Sequence, residues 1–438
     1  MFTTTSWSAL SISAQSQLLE RPAIANNAQL SEQVASIIDQ VSQGGDQVLF
    51  DLTEKFDGAR LARLRVSTEQ IEQAINSLAP ARLNALETAY QQIKVFHQAQ
   101  VFQDIRVETS PGVVCTLKSE AIESVGLYIP AGSAPLPSTV LMLGVPAQLA
   151  GCQRKVLISP PNNQGDIAPE VLAAAKLCGI DEIYAVGGAQ AVAALALGTN
   201  TIAPVNKVFG PGNSYVTEAK KQLSQQVPGF AIDMPAGPSE VLVIADTSAN
   251  PAFIAADLLS QAEHGADSQV VLVATDESLI EQVKAEITKQ LAQLSRKAIA
   301  QASLAHARFI LVGDIEEAID VSNQYAPEHL IVQTIEPNSL VGKLRNAGSI
   351  FLGDYTPESA GDYASGTNHV LPTYGYSKVV SSLSLADFSR RYTVQEISQQ
   401  GLANLAPCLI ELTDAEGLDA HQRAVTIRLE NQQLQGEK

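Results

Sequence analysis

The sequence predicts an α/β protein with two Rossmann-like but incomplete α/β domains, an N-terminal arm and a C-terminal helical tail. From Val125 onward, short apolar runs alternate with helical stretches, and the runs end in glycine, proline or a polar residue. Alternation of this kind is typical of parallel strands joined by right-handed crossovers. The chain has 438 residues, 45% of them hydrophobic, which is too long for one ordinary core and favours more than one domain.

The composition argues against several classes of partner. The net charge is -18, and its acidic residues are spread along the chain, which disfavours nucleic acid or anionic membranes as partners and favours small molecules. The four cysteines show no spacing typical of a zinc knuckle or a disulfide framework, which fits a reducing compartment. Residues 1–17 lack the features of a secretory signal, and glycine interrupts the most apolar stretch, 182–198, before it reaches the length of a bilayer span. We therefore expect a cytoplasmic protein.

The chain before residue 125 is predicted to be an arm followed by helices. Residues 1–22 have weak periodicity and are expected to lie as an arm on another surface. The apolar stripe Val34–Val41 predicts an amphipathic helix that ends at the Gly44-Gly45 pair. A second helical stretch is predicted from Thr68 to about Gln100, interrupted near Pro80.

After residue 125, strands and helices are predicted in two series, followed by a glycine-rich stretch. The first series has predicted strands at 125–129, 156–159, 183–186 and 208–209, and helices at 169–178, 188–197 and 215–225. The second has predicted strands at 241–245, 270–274, 309–312, 330–332 and 349–352, and helices at 251–264 and 277–294. Residues 353–384 are expected to form a long functional loop, and helices are predicted at 393–405 and 416–428. The predicted segments are an N-terminal arm at 1–22, a first α/β domain at 23–127 and 240–380, a second α/β domain of nucleotide-binding type at 128–239, and a C-terminal tail at 381–438.

The most specific polar chemistry gathers at the end of the predicted helix 251–264. Asn250 is a predicted N-cap, and Gly265 suits a left-handed position just past the helix end. Gln261 and His264 are three residues apart and therefore share one face of the helix. A histidine beside an amide oxygen can begin a metal site, although a capped helix with a solvent-facing histidine is the more frequent arrangement for such a pair alone.

A second candidate site is the pair Glu328-His329. Because Pro327 disfavours the helical conformation in the residue before it, we expect Ala326 to be extended and the pair to lie at a loop-to-strand junction. A carboxylate beside an imidazole can relay a proton at neutral pH, whereas a solvated strand start is the alternative. In the glycine-rich stretch that follows, Asp362 is a candidate zinc ligand.

Two glycine motifs favour nucleotide binding. Gly187–Gln190 and Gly210–Asn213 each follow an apolar strand and open a helix, so their backbone N–H groups suit a phosphate. Neither motif matches the dinucleotide fingerprint with its acidic residue after the second strand. Tight strand-to-helix turns without a ligand are the alternative interpretation.

Eight motifs, in the same order and across nearly the whole chain, together resemble the histidinol dehydrogenase family. The resemblance is weakest before residue 30. The motifs are Val125–Gly132, Gly187–Gln190, Phe209–Asn213, Asp233–Glu240, Gln261–His264, Tyr325–His329, Gly366–Pro372 and Glu416–His421.

This resemblance implies a zinc-containing enzyme of L-histidine biosynthesis that oxidises L-histidinol through L-histidinaldehyde in two NAD-dependent steps. It also implies an intertwined homodimer in which the tail of one subunit completes the site of the other. Without the family, Glu263 would be as good a candidate ligand as Gln261. The implied zinc ligands, one ion per subunit, are Gln261, His264, Asp362 and His421, and the implied acid–base pair is Glu328 and His329. The implied substrate contacts are Ser239, Gln261, His264, His329, Glu358, Asp362, His369, Glu416 and His421, and the implied NAD contacts are Tyr128, Gln190 and Asn213.

The implied mechanism assigns separate tasks to the acid–base pair. A neutral His329 would take the hydroxyl proton of histidinol in the first oxidation, and Glu328 would activate water in the second. A thiohemiacetal on Cys115 or Cys152 is a competing route, but both cysteines lie outside the polar motifs. A zinc hydrolase and a non-catalytic binding protein are further alternatives, although neither accounts for the nucleotide-type turns and the acid–base pair together.

Overall fold

The computed structural model describes residues 2–21, 28–131, 135–234 and 237–436, with side chains as far as residue 430. Gly132 of the first motif and Pro235 and Ala236 of the fourth lie outside the described residues, as does the predicted boundary between residues 22 and 23. The chain divides into two compact units. The first unit comprises Met1–Gln100 and Ile122–Phe388, and the second comprises Val101–Ala121 and Ser389–Lys438.

Helices and strands alternate as the sequence predicts, and the α/β fold class is confirmed. Among the described residues, no helix combines the length and apolar character needed to cross a membrane. The strands are β1 Thr4–Ser6, β2 Ile105–Ser110, β3 Val113–Ala121, β4 Ser124–Tyr128, β5 Arg154–Ser159, β6 Glu182–Ala185, β7 Lys207–Phe209, β8 Ala231–Ile232, β9 Glu240–Ala245, β10 Gln269–Ala274, β11 Arg308–Leu311, β12 His329–Gln333, β13 Ser349–Leu352 and β14 Ser389–Ile397. The helices are α1 Ile12–Leu19, α2 Ala28–Asp57, α3 Thr68–Ser77, α4 Pro80–Gln98, α5 Pro137–Ala150, α6 Pro169–Leu177, α7 Gly188–Leu197, α8 Ser214–Gln226, α9 Pro251–Ala262, α10 Glu277–Leu291, α11 Lys297–Leu304, α12 Ile315–Tyr325, α13 Pro337–Leu340, α14 Glu358–Tyr363, α15 Gln399–Ala415 and α16 Asp419–Gly436.

A six-stranded parallel sheet in the first unit carries the second predicted series of strands. Its order is β1-β11-β10-β9-β12-β13. Along β9, Val241 and Val243 pack in one core with α9, α10 and α11, whereas Leu242 and Ile244 pack in another core with α12. A strand that is buried on both faces reads as a continuous apolar run, which is why β9 was predictable.

The first residues of the chain belong to this sheet. Strand β1 pairs in parallel with β11, and Trp7 and Leu19 are buried in the core that also contains Leu242. Residues 2–21 therefore differ from the predicted arm on another surface. A three-residue edge strand is too short for its periodicity to indicate it.

A five-stranded parallel sheet in the same unit has the order β6-β5-β4-β7-β8. The predicted division placed residues 23–127 with the other sheet, but helices α2, α3 and α4 belong to the hydrophobic cores of this one. Val34 of α2 shares a core with Val156 of β5, and the Val66 amide donates to the Ile183 carbonyl at 2.9 Å. An amphipathic pattern shows that a helix has a buried face, but it does not show which sheet that face covers.

The second compact unit contains an antiparallel sheet of order β14-β3-β2 together with α15 and α16. The helix predicted at 393–405 is wrong over its first residues, because Ser389–Ile397 is a strand paired with β3. Helix α15 begins only after Ser398, whose side chain accepts a hydrogen bond from the Gly401 amide. The paired residues, from Ser389 with Ala121 to Ile397 with Val113, are far apart in the chain, so local patterning does not reveal the pairing.

Candidate active site

Helix α9 brings Gln261 and His264 to the site. Asn250 caps the helix by accepting a hydrogen bond from the Ala252 amide at 2.9 Å, as predicted. Gln261 is buried, and neither polar atom of its side chain has a hydrogen-bond partner within the described structure, whereas His264 is exposed just beyond the helix end. The left-handed conformation predicted for Gly265 is wrong, because α9 ends through residues that keep right-handed backbone angles.

The acid–base pair lies at a loop-to-strand junction, as predicted, because His329 is the first residue of β12. Both side chains are held by one buried residue of the neighbouring strand. The Glu240 amide donates to Glu328 Oε2 at 2.8 Å, and His329 Nδ1 lies 3.1 Å from the Glu240 carbonyl oxygen. A carbonyl only accepts hydrogen bonds, so Nδ1 carries a hydrogen and Nε2 is the nitrogen that can exchange a proton with substrate.

The residue before Pro327 is not extended. Ala326 has φ 56° and ψ 69°, so the extended conformation predicted for it is wrong. It ends helix α12, and its amide donates to the Ser322 carbonyl at 2.7 Å. The hydrogen bond that ends helix α12 outweighs the preference for an extended conformation that Pro327 imposes on the residue before it.

A short helix inside the predicted loop 353–384 places two carboxylates beside His329. Glu358 and Asp362 are four residues apart on α14 and therefore share a face. Glu358 Oε1 lies 3.9 Å from His329 Nδ1, and Asp362 Oδ1 lies 3.7 Å from His329 Nε2. Gly361 allows α14 to pack this closely, since a Cβ at that position would lie 2.6 Å from the ring of Phe351 on β13.

Three side chains form a group that fits a metal ion. Ligand atoms of His264, Glu358 and Asp362 all lie within 4.8 Å of one another. Both carboxylate oxygens of Glu358 are buried, and the described residues offer them no hydrogen-bond donor. Nitrogen and oxygen donors suit Zn²⁺, and Gln261 adds an unpartnered amide oxygen on the neighbouring helix. Glu358, which the family resemblance assigns to substrate, thus lies among the candidate ligands.

His369 lies next to this group. Its Nδ1 is 2.8 Å from the carbonyl oxygen of Asp362, and its Nε2 is 3.2 Å from Thr139 Oγ1 on α5. The structure therefore brings together His264, His329, Glu358, Asp362 and His369.

Burial and charge shift the proton affinities of this group. Burial raises the pKa of Glu328 and of Glu358 to about 8. Burial by itself lowers the pKa of His329, but the carboxylates of Glu358, Glu328 and Asp362 outweigh that effect and raise it well above its usual value. The neutral His329 expected from the sequence is therefore not the favoured form in the protein without a bound cation.

Asp257 is a buried carboxylate on α9 that the sequence analysis did not identify. It lies four residues before Gln261 on α9, is buried, and accepts a hydrogen bond from Gln333 Nε2 at 3.0 Å. Burial raises its pKa to about 7. A carboxylate on an otherwise apolar helix face is the signal that would have identified it.

The residues implied in NAD binding lie at the carboxyl ends of strands in the five-stranded sheet. The Gly188 amide, at the start of α7, donates to the hydroxyl oxygen of Tyr128 at 3.1 Å. Gln190 is buried in the first turn of the same helix, and a Cβ on Gly188 would lie 2.7 Å from its side-chain oxygen. Asn213 caps α8 by accepting from the Tyr215 and Val216 amides, which is the structural role expected of a tight turn.

A buried ion pair fixes the turn that carries Asn213, and the sequence analysis did not identify it. The Gly210 amide donates to Asp233 Oδ2 at 2.8 Å, and the Gly210 carbonyl accepts from Lys220 Nζ at 2.9 Å. Lys220 and Asp233 also pair directly with each other. A Cβ at Gly210, where φ is +122°, would lie 2.1 Å from the Tyr128 carbonyl oxygen, so this backbone approach requires glycine.

The remaining predicted site residues lie elsewhere along the chain. Ser239 is half-buried directly before β9, and its carbonyl accepts from the Gln269 amide at 2.9 Å. Glu416 ends α15 and His421 lies in the first turn of α16; both are exposed and belong to the second compact unit. Their roles in binding stay predictions.

Known proteins of one family resemble this chain over nearly its whole length. The family model described as histidinol dehydrogenase matches residues 20–429. A histidinol dehydrogenase from Colwellia psychrerythraea is 69% identical over 424 residues, which cover 97% of this chain and 98% of that protein. One from Vibrio cholerae is 59% identical over 427 residues and 98% of both proteins. A crystal structure of histidinol dehydrogenase from Elizabethkingia anophelis has a TM-score of 0.95 and 46% sequence identity, covering 99% of each chain.

Zinc binding to the metal-free protein is expected to release protons near neutral pH. Because burial raises the pKa of Glu328 and of Glu358 to about 8, the group that these carboxyls form with His329 holds protons at pH 7, and a bound cation favours the deprotonated forms. Calorimetric titration with Zn²⁺ in buffers of different ionisation enthalpy measures the number of protons released. The release should fall when the pH is raised well above 8, and Glu358→Gln should reduce it at pH 7. An equal release at both pH values would contradict the assignment.

Proposed function

The chain belongs to the histidinol dehydrogenase family, and we propose that it oxidises L-histidinol to L-histidine through L-histidinaldehyde in two NAD-dependent steps. Membership of this family makes it an oxidoreductase of histidine biosynthesis. The observation that carries the finer proposal is the group formed by His264, Glu358 and Asp362 around His329, with Glu328 beside it. It combines a candidate cation site with a candidate base.

One zinc ion per subunit would be held by Gln261, His264, Asp362 and His421, the last from the partner subunit. The unpartnered amide of Gln261 and the unpartnered carboxylate of Glu358 support a cation at this position. When bound, zinc would supply positive charge that offsets the carboxylates and orients the imidazole and amine of histidinol.

In the first oxidation, His329 would remove the hydroxyl proton of histidinol. Its Nδ1–H is held by the Glu240 carbonyl, so the base is Nε2, which faces Asp362. When bound, NAD would accept the hydride from the substrate carbon. Tyr128, Gln190 and Asn213 would position that cofactor at the starts of α7 and α8, where backbone N–H groups suit its phosphates.

In the second oxidation, Glu328 would take a proton from the water that adds to the aldehyde. Its Oε2 is fixed by the Glu240 amide, which leaves the other carboxylate oxygen as the proton acceptor. His329 Nδ1 lies 3.6 Å from Glu328 Oε2, so each of the two side chains responds to the charge of the other. The same pair would therefore serve both steps without moving.

Covalent catalysis by cysteine has little support. Burial raises the pKa of Cys152 to about 11, and its thiol donates to the Phe388 carbonyl. Burial also raises the pKa of Cys178 above its usual value. A thiol with a raised pKa is a poor nucleophile at neutral pH, so attack by water is favoured over a thiohemiacetal on Cys152. The four cysteines are unpaired, which is compatible with the cytoplasmic location that we propose.

The direct test is to incubate the zinc-loaded protein with L-histidinol and NAD and to count products. Two oxidations of one substrate should give two NADH for each L-histidine, measured by nicotinamide absorbance and chromatography. One NADH for each histidinol consumed, with histidinaldehyde accumulating in place of L-histidine, would contradict the two-step proposal. Turnover without a change in nicotinamide absorbance would contradict the NAD assignment.

Glu328→Gln is expected to affect the second oxidation more than the first. Glutamine keeps the hydrogen bond from the Glu240 amide but cannot take a proton from water. General-base catalysis typically contributes a factor in rate on the order of 10²–10⁴. The rate of oxidation of supplied histidinaldehyde should therefore decrease by a factor in that range, and the rate of oxidation of histidinol should decrease less. Equal losses in the two half-reactions would mean that Glu328 only orients His329.

Mixed dimers would test whether the tail completes the partner's site. Asp362→Asn damages the body of the site and His421→Ala damages the tail, so a shared arrangement gives one intact and one doubly damaged site per mixed dimer. Co-expression with two affinity tags should therefore recover part of the activity that each variant lacks alone. Purified mixed dimers that stay as inactive as either parent, while remaining folded, would mean that each tail serves its own subunit.

A further inference from the structure

An arginine near the start of the chain makes a two-point ion pair below the acid–base pair. Arg21 Nε lies 2.5 Å from Glu240 Oε1, and Nη2 lies 2.7 Å from Oε2. The Arg21 side chain is 12% exposed and the Glu240 side chain is fully buried. The guanidinium carbon also lies 3.9 Å from the ring centre of Tyr325, so the arginine is held by charge and by an aromatic face.

The backbone of Glu240 binds both members of the acid–base pair. Its amide donates to Glu328 Oε2, and its carbonyl accepts from His329 Nδ1. A displacement of the Glu240 backbone would therefore shift the partners of the carboxylate and of the imidazole together. The two hydrogen bonds from Arg21 hold the Glu240 carboxylate in place and thereby restrict movement of the Glu240 backbone.

The same guanidinium also binds the strained backbone that leads to the pair. Arg21 Nη2 lies 2.8 Å from the Tyr325 carbonyl oxygen and 3.1 Å from that of Ala326, which has φ 56°. On the opposite side, the amide of Tyr374, with φ 57°, donates to Glu240 Oε1 at 3.0 Å. Non-glycine residues keep such angles only when their surroundings fix them.

We propose that Arg21 is a positioning residue for the proposed reaction, holding Glu240 and the Ala326 turn so that Glu328 and His329 keep their catalytic orientation. The proposal rests on the proposed function, because it assigns Arg21 an effect on the steps attributed to that pair. A purely structural ion pair would affect stability, whereas a positioning residue affects turnover in molecules that remain folded.

The chain offers a matched control in the five-stranded sheet. Arg154 makes the same two-point pair with Glu182, at 2.8 and 2.7 Å, and likewise donates to two backbone carbonyls, those of Ala203 and Pro204. None of these contacts involves Glu328, His329 or Glu240. The Arg154–Glu182 side chains are more exposed, at 26% and 22%, so loss of Arg154 removes a comparable set of bonds at a lower structural cost and without an effect on the site.

The experiment compares Arg21→Met, Arg21→Lys and Arg154→Met with the wild-type protein in the histidinol and NAD assay. Misplacement of catalytic groups by about an ångström costs roughly a hundredfold in rate, so kcat of Arg21→Met should fall about 10- to 100-fold. The KM for NAD should stay within about twofold, because the Arg21 network touches none of the proposed NAD contacts. Arg21→Lys keeps the charge but not the planar fork and should lose less. Arg154→Met should keep kcat within about twofold of wild type.

Thermal melting, circular dichroism and bound zinc, measured on the same samples, separate loss of fold from loss of positioning. Wild-type kcat in folded Arg21→Met would overturn the proposal, as would an equal kcat loss in Arg154→Met. If Arg21→Met does not fold, Glu240→Gln, which retains an acceptor for the Tyr374 amide but loses the charge that pairs with Arg21, takes its place. Wild-type kcat in folded Glu240→Gln would then overturn the proposal. A wild-type protein that forms no NADH from histidinol would instead overturn the proposed function.

Discussion

The carboxyl groups of Glu328, Glu358 and Asp362 surround one buried imidazole, and this concentration of charge constrains the rest of the site. Carboxylates removed from water favour their protonated forms, and a nearby imidazole keeps its proton when carboxylates surround it. Such a group is costly for the protein alone, because protons or a cation must offset its charge. The buried oxygens of Glu358 and the buried amide of Gln261 also lack partners among the described residues. A single cation would offset the negative charge and would also provide a partner for these unpaired oxygen atoms.

The protein holds this unfavourable group on closely packed elements. Strand β9 lies in the middle of the six-stranded sheet, is buried on both faces, and is bonded to β12, which His329 begins. Helix α14 is short, but Gly361 seats it against Phe351, whose ring centre lies 6.0 Å from that of His329. Close packing therefore fixes the distances between carboxylates that would otherwise repel one another.

The sequence predicted what depends on local pattern and missed what depends on tertiary contact. Alternating apolar runs indicated the parallel strands, and Asn250 and the junction at His329 followed from capping and strand signals. Helix α14 was hidden, because its six residues lie in a glycine-rich stretch and it depends on the contact of Gly361 with Phe351. The left-handed Ala326 could not be inferred either, since its conformation depends on contacts with Arg21 and the end of α12. The choice of Gln261 as a ligand rested on the family and not on the residue types.

Three ion pairs in this chain share a feature that explains where they occur. Arg21–Glu240, Lys220–Asp233 and Arg154–Glu182 each bind backbone groups as well as each other, at places where the chain leaves a strand or helix. A buried ion pair contributes little net stability, because the cost of removing charges from water offsets their attraction. What such a pair does provide is direction, since charged hydrogen bonds hold carbonyl and amide groups at fixed angles. Two of the three pairs lie directly behind residues proposed to act in catalysis or cofactor binding, where fixed geometry matters more than the free energy of folding.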